Sequence, residues 1–507
     1  MGEMQRVRNG RNDGARHRSP GRRRGARGAA VLTLLGLILP TSRPAAAPAA
    51  FVAVAPPASL PAAAALALEI AQVPREALAV VIEELGVDRP VLALNDERLV
   101  NPASLAKLVT TAAALDMLGP AWRWRTPVWI DGPVRDGVLA GTLAIRGSGD
   151  PTLVLERLWL LLHRVRETGV REIRGDIVLD GSAFAPAADG PGDFDGEAGR
   201  PYNVQPDALL LNFKSVTYTF VPDPARGLAL VLAAPALGGL PAAPPGLPLA
   251  PGPCGDWRAG IRPAPAAADG LVRFEGRYPA ACGEQQWSIA DARPASYNAR
   301  LVEAMWRELG GTLAGRVRAG PAPATVPSFE FVSPPLADVV RDINKYSNNV
   351  MARQLFLTLD LVAHPERAAD AASARATLHG WLEAHLGALP PGVALDNGAG
   401  LAREGRLTAR LLARLLVQAW DGPNQPEFVA SLPIFGVDGT LRRVAPAAGT
   451  AHLKTGSLRD VSGLAGYVRS ESGRRYVLVA IVNHPEANAA RPALEAIVRW
   501  TLHDAVR

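Results

Sequence analysis

Apolar residues are unevenly spaced along this chain. "LAVVIEEL" (78–85) and "PVLALNDERLV" (90–100) are two β-rich runs joined by "GVDRP", a pattern that predicts two strands. The second run passes through Asn101-Pro102 into a segment where Leu105, Leu108, Ala112 and Leu115 recur at helical spacing, and Gly119-Pro120 stops it.

The texture then changes. Short β-like runs rich in Gly and Pro fill 121–287, among them "GVLAGTLAIRGSGDPTL", "GDIVLDGSAF", "LLLNFKSVTYTFVPD" and "LALVLAAP". One helix interrupts them, around "TLVLERLWLLLHRVRETG", and 237–255 is a Pro-rich loop. Helical patterning returns at 297–311, 335–361, 368–387 and 408–420. "AHLKTGSL" (451–458) and "RRYVLVAIVNH" (474–484) read as adjacent strands. The first is an edge strand, and the second is apolar on both faces as a central strand requires. "SESG" is a turn before that second strand, and a final helix begins near Arg491.

With 507 residues the chain exceeds one simple core. The formal charge of +6 misleads, because ten Arg and two acidic residues fall within 1–47 and leave the remainder at −2. A nucleic-acid surface in the body is therefore not expected. The basic start, the apolar "AAVLTLLGLILP" (29–40) and the small residues of "PAAAPAA" (44–50) read as an export signal. The apolar run is too short for a membrane span, and no later segment is long and apolar enough. In the oxidising compartment that export implies, Cys254 and Cys282 would pair; two buried thiols are the alternative. Two cysteines without clustered His make a zinc site unexpected.

Lysine usage is more telling. Of 54 Lys and Arg only four are lysine: Lys107, Lys214, Lys345 and Lys454. An amine can be held neutral and act as a base, whereas a guanidinium cannot. Ser104-Leu105-Ala106-Lys107 is S-x-x-K, which places a hydroxyl and an amine on one helix face. Ser347-Asn348-Asn349 is S-x-N: Ser347 could relay a proton and Asn349 could hold an amide, although an ordinary helix cap is the simpler use. Lys454-Thr455-Gly456-Ser457 is K-T-G-S. Lys454 and Thr455 suit a carboxylate, and Gly456 would keep the strand clear for a substrate backbone. Each motif is cheap alone, but the three stand in the order of the active-site-serine β-lactamases and penicillin-binding proteins. There is no G-x-S-x-G and no H-E-x-x-H. His452, two residues before Lys454, could line a cleft but is more simply structural.

With these motifs the chain resembles the class C low-molecular-mass penicillin-binding proteins, the D-alanyl-D-alanine carboxypeptidase/endopeptidase family. "GSGDPTL" (147–153), "PYNVQPDALLLNF" (201–213), "VDGTLRR" (437–443) and the 243-residue gap between Ser104 and Ser347 extend the likeness. It implies an α/β (α+β) penicillin-binding-protein/serine β-lactamase-like transpeptidase fold, discontinuous, with a large mostly β insertion. The expected layout is a signal peptide over 1–47, an Ala/Pro-rich linker over 48–67, a first transpeptidase-like part over 68–120, β-rich inserted domains over 121–290 and a second part over 291–507.

The resemblance also implies roles. Ser104 would attack the bond between the two D-alanines of a peptidoglycan stem peptide with Lys107 as base. Ser347 would return the proton and Asn349 would orient the substrate. Lys454 and Thr455 would bind the terminal carboxylate, and the N–H groups of Ser104 and Ser457 would hold the oxyanion. No cofactor or metal is expected. Peptidoglycan peptides are the expected partners, β-lactams the expected inhibitors and the periplasm the expected location. A serine β-lactamase and a non-catalytic peptidoglycan-binding protein are the alternatives. Two departures stand out: in "DNGAGLAR" (396–403) Ala399 and Ala402 replace serines of the family pattern, and Lys214 stands where Asn is usual, with an effect expected at the surface only.

Overall fold

Along the strand Arg475–Asn483, Val477, Val479 and Ile481 enter one hydrophobic core, while Leu478, Ala480 and Val482 enter another. The pleat alternates side chains between faces, so an unbroken apolar run must lie in a sheet covered on both sides. In this computed structural model, which describes residues 59–87, 89–235, 237, 246–264, 272–444 and 451–503, that strand is the middle of five. They are β1 (Leu78–Glu84), β2 (Pro90–Leu94), β3 (Ala451–Leu458), β4 (Val461–Arg469) and β5 (Arg475–Asn483). Their order is β3-β4-β5-β1-β2, antiparallel throughout. The expected signal peptide lies outside the described residues.

β3 is an edge, as its sequence predicted, but β4 separates it from β5. The stretch 461–469 lacked a clear strand signature because Gly463 and Gly466 interrupt it. Packing explains both glycines. A Cβ on Gly463 would lie 3.0 Å from Leu105, and one on Gly466 would lie 2.2 Å from the His452 carbonyl oxygen.

Helices α1 (Ala62–Ile70) and, at the C-terminal end, Arg491–Leu502 share one core with the sheet, through Leu68, Leu494 and Val498. A tether was expected over 48–67, but its last residues form α1, where Ala64, Ala65 and Leu68 are buried. Alanine is the best helix former, so an alanine run beside a core becomes helix rather than linker.

On the other face lie α2 (Ala106–Leu118), α3 (Leu336–Tyr346) and α4 (Asn349–Ala363), with further helices at Ala371–Leu386 and Ala409–Asp421. α2 is not the one-sided helix its stripe suggested, since every residue from Ala106 to Leu115 is buried. A helix covered all round sits at the centre of its layer. The single helix expected over 335–361 is two, broken at Ser347, which adopts the left-handed φ of 56°. A further helix, Gln425–Ser431, had not been anticipated.

A separate core holds the inserted region, built around Val128, Ile145, Ile177, Phe220, Tyr278 and Trp306. It reaches past the expected limit at 290. Helix Pro294–Glu308 packs into it, and strand Phe329–Val332 pairs with Arg125–Asp131. The expected loop over 237–255 contains a strand, Leu247–Ala250, which pairs with Leu228–Ala234. Cys254 and Cys282 are joined by a disulfide.

Candidate active site

Ser104 sits on the 3-10 turn Ala103–Leu105 that leads into α2. Local bonds aim this turn. Asn101 Oδ1 accepts from Ala103 N–H at 2.9 Å, and Asn483 at the end of β5 both accepts from Asn101 N–H at 2.7 Å and donates to its carbonyl at 3.1 Å. Ala103 takes a φ of 47°, a conformation costly without a side chain that bonds locally. Gly400 lies so near that a Cβ there would fall 1.8 Å from the Ala103 carbonyl oxygen.

Lys107, one turn further on, is fully buried. Its Nζ lies 2.9 Å from Ser104 Oγ, 2.5 Å from Asn349 Oδ1 and 2.6 Å from the Ala399 carbonyl oxygen. Burial, and then the nearby Lys454 ammonium, hold its pKa well below the usual lysine value. A neutral amine has two N–H groups and one lone pair. The two carbonyl oxygens can only accept, so they take both N–H groups. The lone pair is then left for the proton of Ser104.

Lys454, also fully buried, donates to Ser347 Oγ at 2.8 Å and to the Thr455 carbonyl at 2.8 Å. Burial depresses its pKa to about 7. It therefore stands behind Ser347 rather than in the open cleft. Ser347 is not the cap of α4: Asn348 is, accepting from Met351 N–H at 3.1 Å. The left-handed turn at Ser347 instead swings its hydroxyl toward Lys454.

The cleft these groups share measures about 1010 Å³. Ser104, Ser347, Asn349 and Ser457 line it, together with Phe194, Asp195, Tyr202 and Phe213 of the inserted region. The Asp195 carboxylate is fixed by Tyr202 at 2.8 Å and Asn203 at 2.8 Å. A Cβ on Gly456 would lie 2.8 Å from the Pro102 carbonyl oxygen and 3.0 Å from Leu105, so this glycine makes room for the nucleophile turn.

No chemical role had been assigned to the other two lysines. Both are paired: Lys345 with Asp438 at 2.6 Å and Lys214 with Asp207 at 2.6 Å. Lys214 is largely buried rather than a surface feature. Ala399 contributes its carbonyl, which the missing serine hydroxyl concealed. Of the wall from the inserted region, Tyr202 and Phe213 lie in the family-like stretch 201–213, whereas Phe194 and Asp195 fall in no motif. The disulfide pair does not line the cleft. Among the described residues no cluster of His, Cys, Asp or Glu is placed to hold a metal, and no helix is long and apolar enough to cross a membrane.

Comparison with known proteins finds relatives over most of the chain. The model of the D-Ala-D-Ala carboxypeptidase 3 (S13) family matches residues 62–243 and 265–503. A D-alanyl-D-alanine carboxypeptidase of Actinomadura sp. (strain R39) is 30% identical over 419 residues, covering 78% of this chain and 75% of the relative. The D-alanyl-D-alanine carboxypeptidase DacB of Haemophilus influenzae is 25% identical over 402 residues, covering 77% of this chain and 81% of its own. In fold, the crystal structure of penicillin binding protein 4 from Haemophilus influenzae superposes with a TM-score of 0.68 at 21% identity, over 83% of this chain and 96% of that one.

Proposed function

The protein belongs to the D-Ala-D-Ala carboxypeptidase 3 (S13) family of serine hydrolases, and from that premise we propose how its cleft cleaves D-Ala-D-Ala bonds in peptidoglycan stem peptides and cross-links. Ser104 Oγ attacks the carbonyl carbon between the two D-alanines while its proton passes to Lys107 Nζ. The N–H groups of Ser104 and Ser457 hold the oxyanion; losing one such donor typically costs about 100- to 1000-fold in rate. The C–N bond then breaks. The departing amine receives, by way of Ser347, the proton that Lys107 took from Ser104, while the Lys454 ammonium that donates to Ser347 at 2.8 Å keeps its own. Water then attacks the acyl-Ser104 ester as Lys107, neutral once more, accepts its proton; when the ester C–O bond breaks, Lys107 returns that proton to Ser104 Oγ and the acid leaves.

Lys454 supplies positive potential to the terminal carboxylate from behind Ser347, and Thr455 marks the same end of the cleft from the strand. A β-lactam presents a similar carbonyl and carboxylate and acylates the same serine. The contact of Lys107 with Ser104 carries this reading, because its other two partners can accept only N–H.

Incubation with a fluorescent penicillin tests it, alongside mass spectrometry of digested muropeptides. A stable adduct and loss of terminal D-alanine, both abolished by Ser104→Ala, are expected. Rapid turnover of the drug would instead indicate a β-lactamase, and absence of any adduct a binding protein without catalysis. Export to the periplasm follows from the basic and apolar start of the chain. Fractionation of cells making the chain with and without residues 1–47 checks it.

A further inference from the structure

The Lys345–Asp438 pair lies outside the mechanism above, yet it belongs to a chain of contacts that leads through Thr440, Thr455 and Lys454 back to Ser347 at the cleft. Lys345 is two residues before Ser347, and its buried ammonium donates to Asp438 Oδ2 at 2.6 Å. The other oxygen of Asp438 accepts from Ile434 N–H at 2.7 Å. Next to Asp438, Gly439 takes a φ of 55° and presses so close to the Lys345 carbonyl oxygen that a Cβ would lie 2.5 Å away. One residue further, Thr440 Oγ1 accepts a hydrogen bond from Thr455 Oγ1 at 2.9 Å. Thr455 follows Lys454, and Lys454 returns to Ser347 at 2.8 Å.

The same loop caps the edge of β3. Leu453 N–H donates to Pro433 at 2.8 Å, and Phe435 N–H donates to Ala451 at 2.9 Å. Edge pairing covers the strand up to the residue before Lys454, and the loop then turns at Asp438–Gly439 to bring Thr440 against Thr455. Protons on the hydroxyl pair decide what it offers. Thr455 spends its own on Thr440, so the proton free to point outward is that of Thr440. A carboxylate can only accept.

We propose that Thr440 is a further substrate-binding residue that donates to the terminal carboxylate, and that Lys345 and Asp438 are the positioning pair that holds it there. This rests on the reading above, in which Thr455 marks the carboxylate end of the cleft. It gives the loop 434–441 a part in choosing substrates with a free C-terminal carboxylate.

The experiment compares KM and kcat on a D-Ala-D-Ala peptide and on its C-terminal amide. Thr440→Val keeps the branched shape and removes the hydroxyl. It is expected to raise KM for the free acid ~10-fold, the loss of one charge-assisted hydrogen bond, with the amide changing less than ~3-fold. Lys345→Met and Asp438→Asn should reproduce that selective loss, and Lys345→Met combined with Thr440→Val should be no worse than Thr440→Val alone. If Lys345→Met does not fold, Asp438→Asn, which keeps the shape, decides. An unchanged acid-to-amide ratio in Thr440→Val overturns the assignment of Thr440. Equal losses on both substrates in the Lys345 or Asp438 variants, or losses that add to that of Thr440→Val, overturn the positioning role. Thr455→Val separates the two levels. If it too leaves the ratio unchanged, the carboxylate reading of the strand is wrong; if it shifts the ratio while Thr440→Val does not, only the present inference falls.

Discussion

Lys107 and Asn349 are 242 residues apart in sequence, and their side chains meet at 2.5 Å between two helices of one core. The amide oxygen of Asn349 and the carbonyl of Ala399 both accept from the amine. Burial and then the Lys454 ammonium select against its protonated form, and neither oxygen carries the full charge that would oppose them.

Replacing Asn349 by Asp tests that selection. A carboxylate at the same distance favours the ammonium and raises the Lys107 pKa. Acylation by penicillin near neutral pH should fall about 100-fold, within the range of removing a general base. Asn349→Leu should lose less, since it adds no charge. Stopped-flow acylation of both variants checks the order; a slower Leu variant would show that the amide itself, not its neutrality, is what matters.

The rate should rise with pH as Lys107 loses its proton, then fall in kcat/KM as free-enzyme Lys454, depressed by burial to about 7, becomes neutral. A bound carboxylate favours the ammonium, so the falling limb of kcat should lie at higher pH than that of kcat/KM. In Lys454→Arg the falling limb should vanish over the same range, because a guanidinium keeps its proton. A limb that survives the substitution belongs to another group.

Fold stability carries the same signature. The folded-state pKa of Lys454, about 7, lies below the ordinary 10.5, so between these values the unfolded chain binds one more proton. Stability of the native protein should therefore climb with pH across that window relative to Lys454→Met, and run parallel to it above and below. Urea unfolding at pH 6, 8 and 10 measures the difference.

A methyl group at Gly456 would meet the Pro102 carbonyl oxygen at 2.8 Å. Gly456→Ala should push the turn bearing Ser104 away from β3. Overpacking of this kind costs roughly 1–3 kcal/mol, and acylation should slow at least ~10-fold while the fold survives. Acylation rates and Tm measured together decide it, and an unchanged rate would place the strain elsewhere.

The disulfide joins residues 28 apart within the inserted region. Closing such a loop restricts the unfolded chain by roughly 3–4 kcal/mol. Cys254→Ser with Cys282→Ser should lower the unfolding midpoint of the inserted region, with penicillin acylation retained at temperatures below that midpoint. Differential scanning calorimetry and labelling with fluorescent penicillin report the two effects.

The reactive inventory was legible in the chain itself. A composition that spends 50 of 54 cations as arginine singles out four amines, and all four prove to be bonded inside the structure. Helical stripes and the doubly apolar run at 475–483 marked the scaffold, because burial imposes its period directly on neighbouring residues. β4 escaped notice because its glycines answer to Leu105 and His452, which lie far away in sequence.

What tertiary structure alone decided was the state of those amines and the other half of the cleft. A lysine is a base only once burial and a second ammonium depress its pKa, and neither is a property of its neighbours in the chain. Ala399 acts through a backbone carbonyl that every residue possesses, so no side chain announces it. Phe194, Asp195 and Tyr202 reach the cleft because residues distant in sequence hold their loop there: Ala290 N–H donates to the Gly199 carbonyl at 2.9 Å and Arg403 to that of Phe194 at 3.1 Å. Sequence sets which groups exist and which segments bury them; convergence of distant segments sets their protonation and their reach.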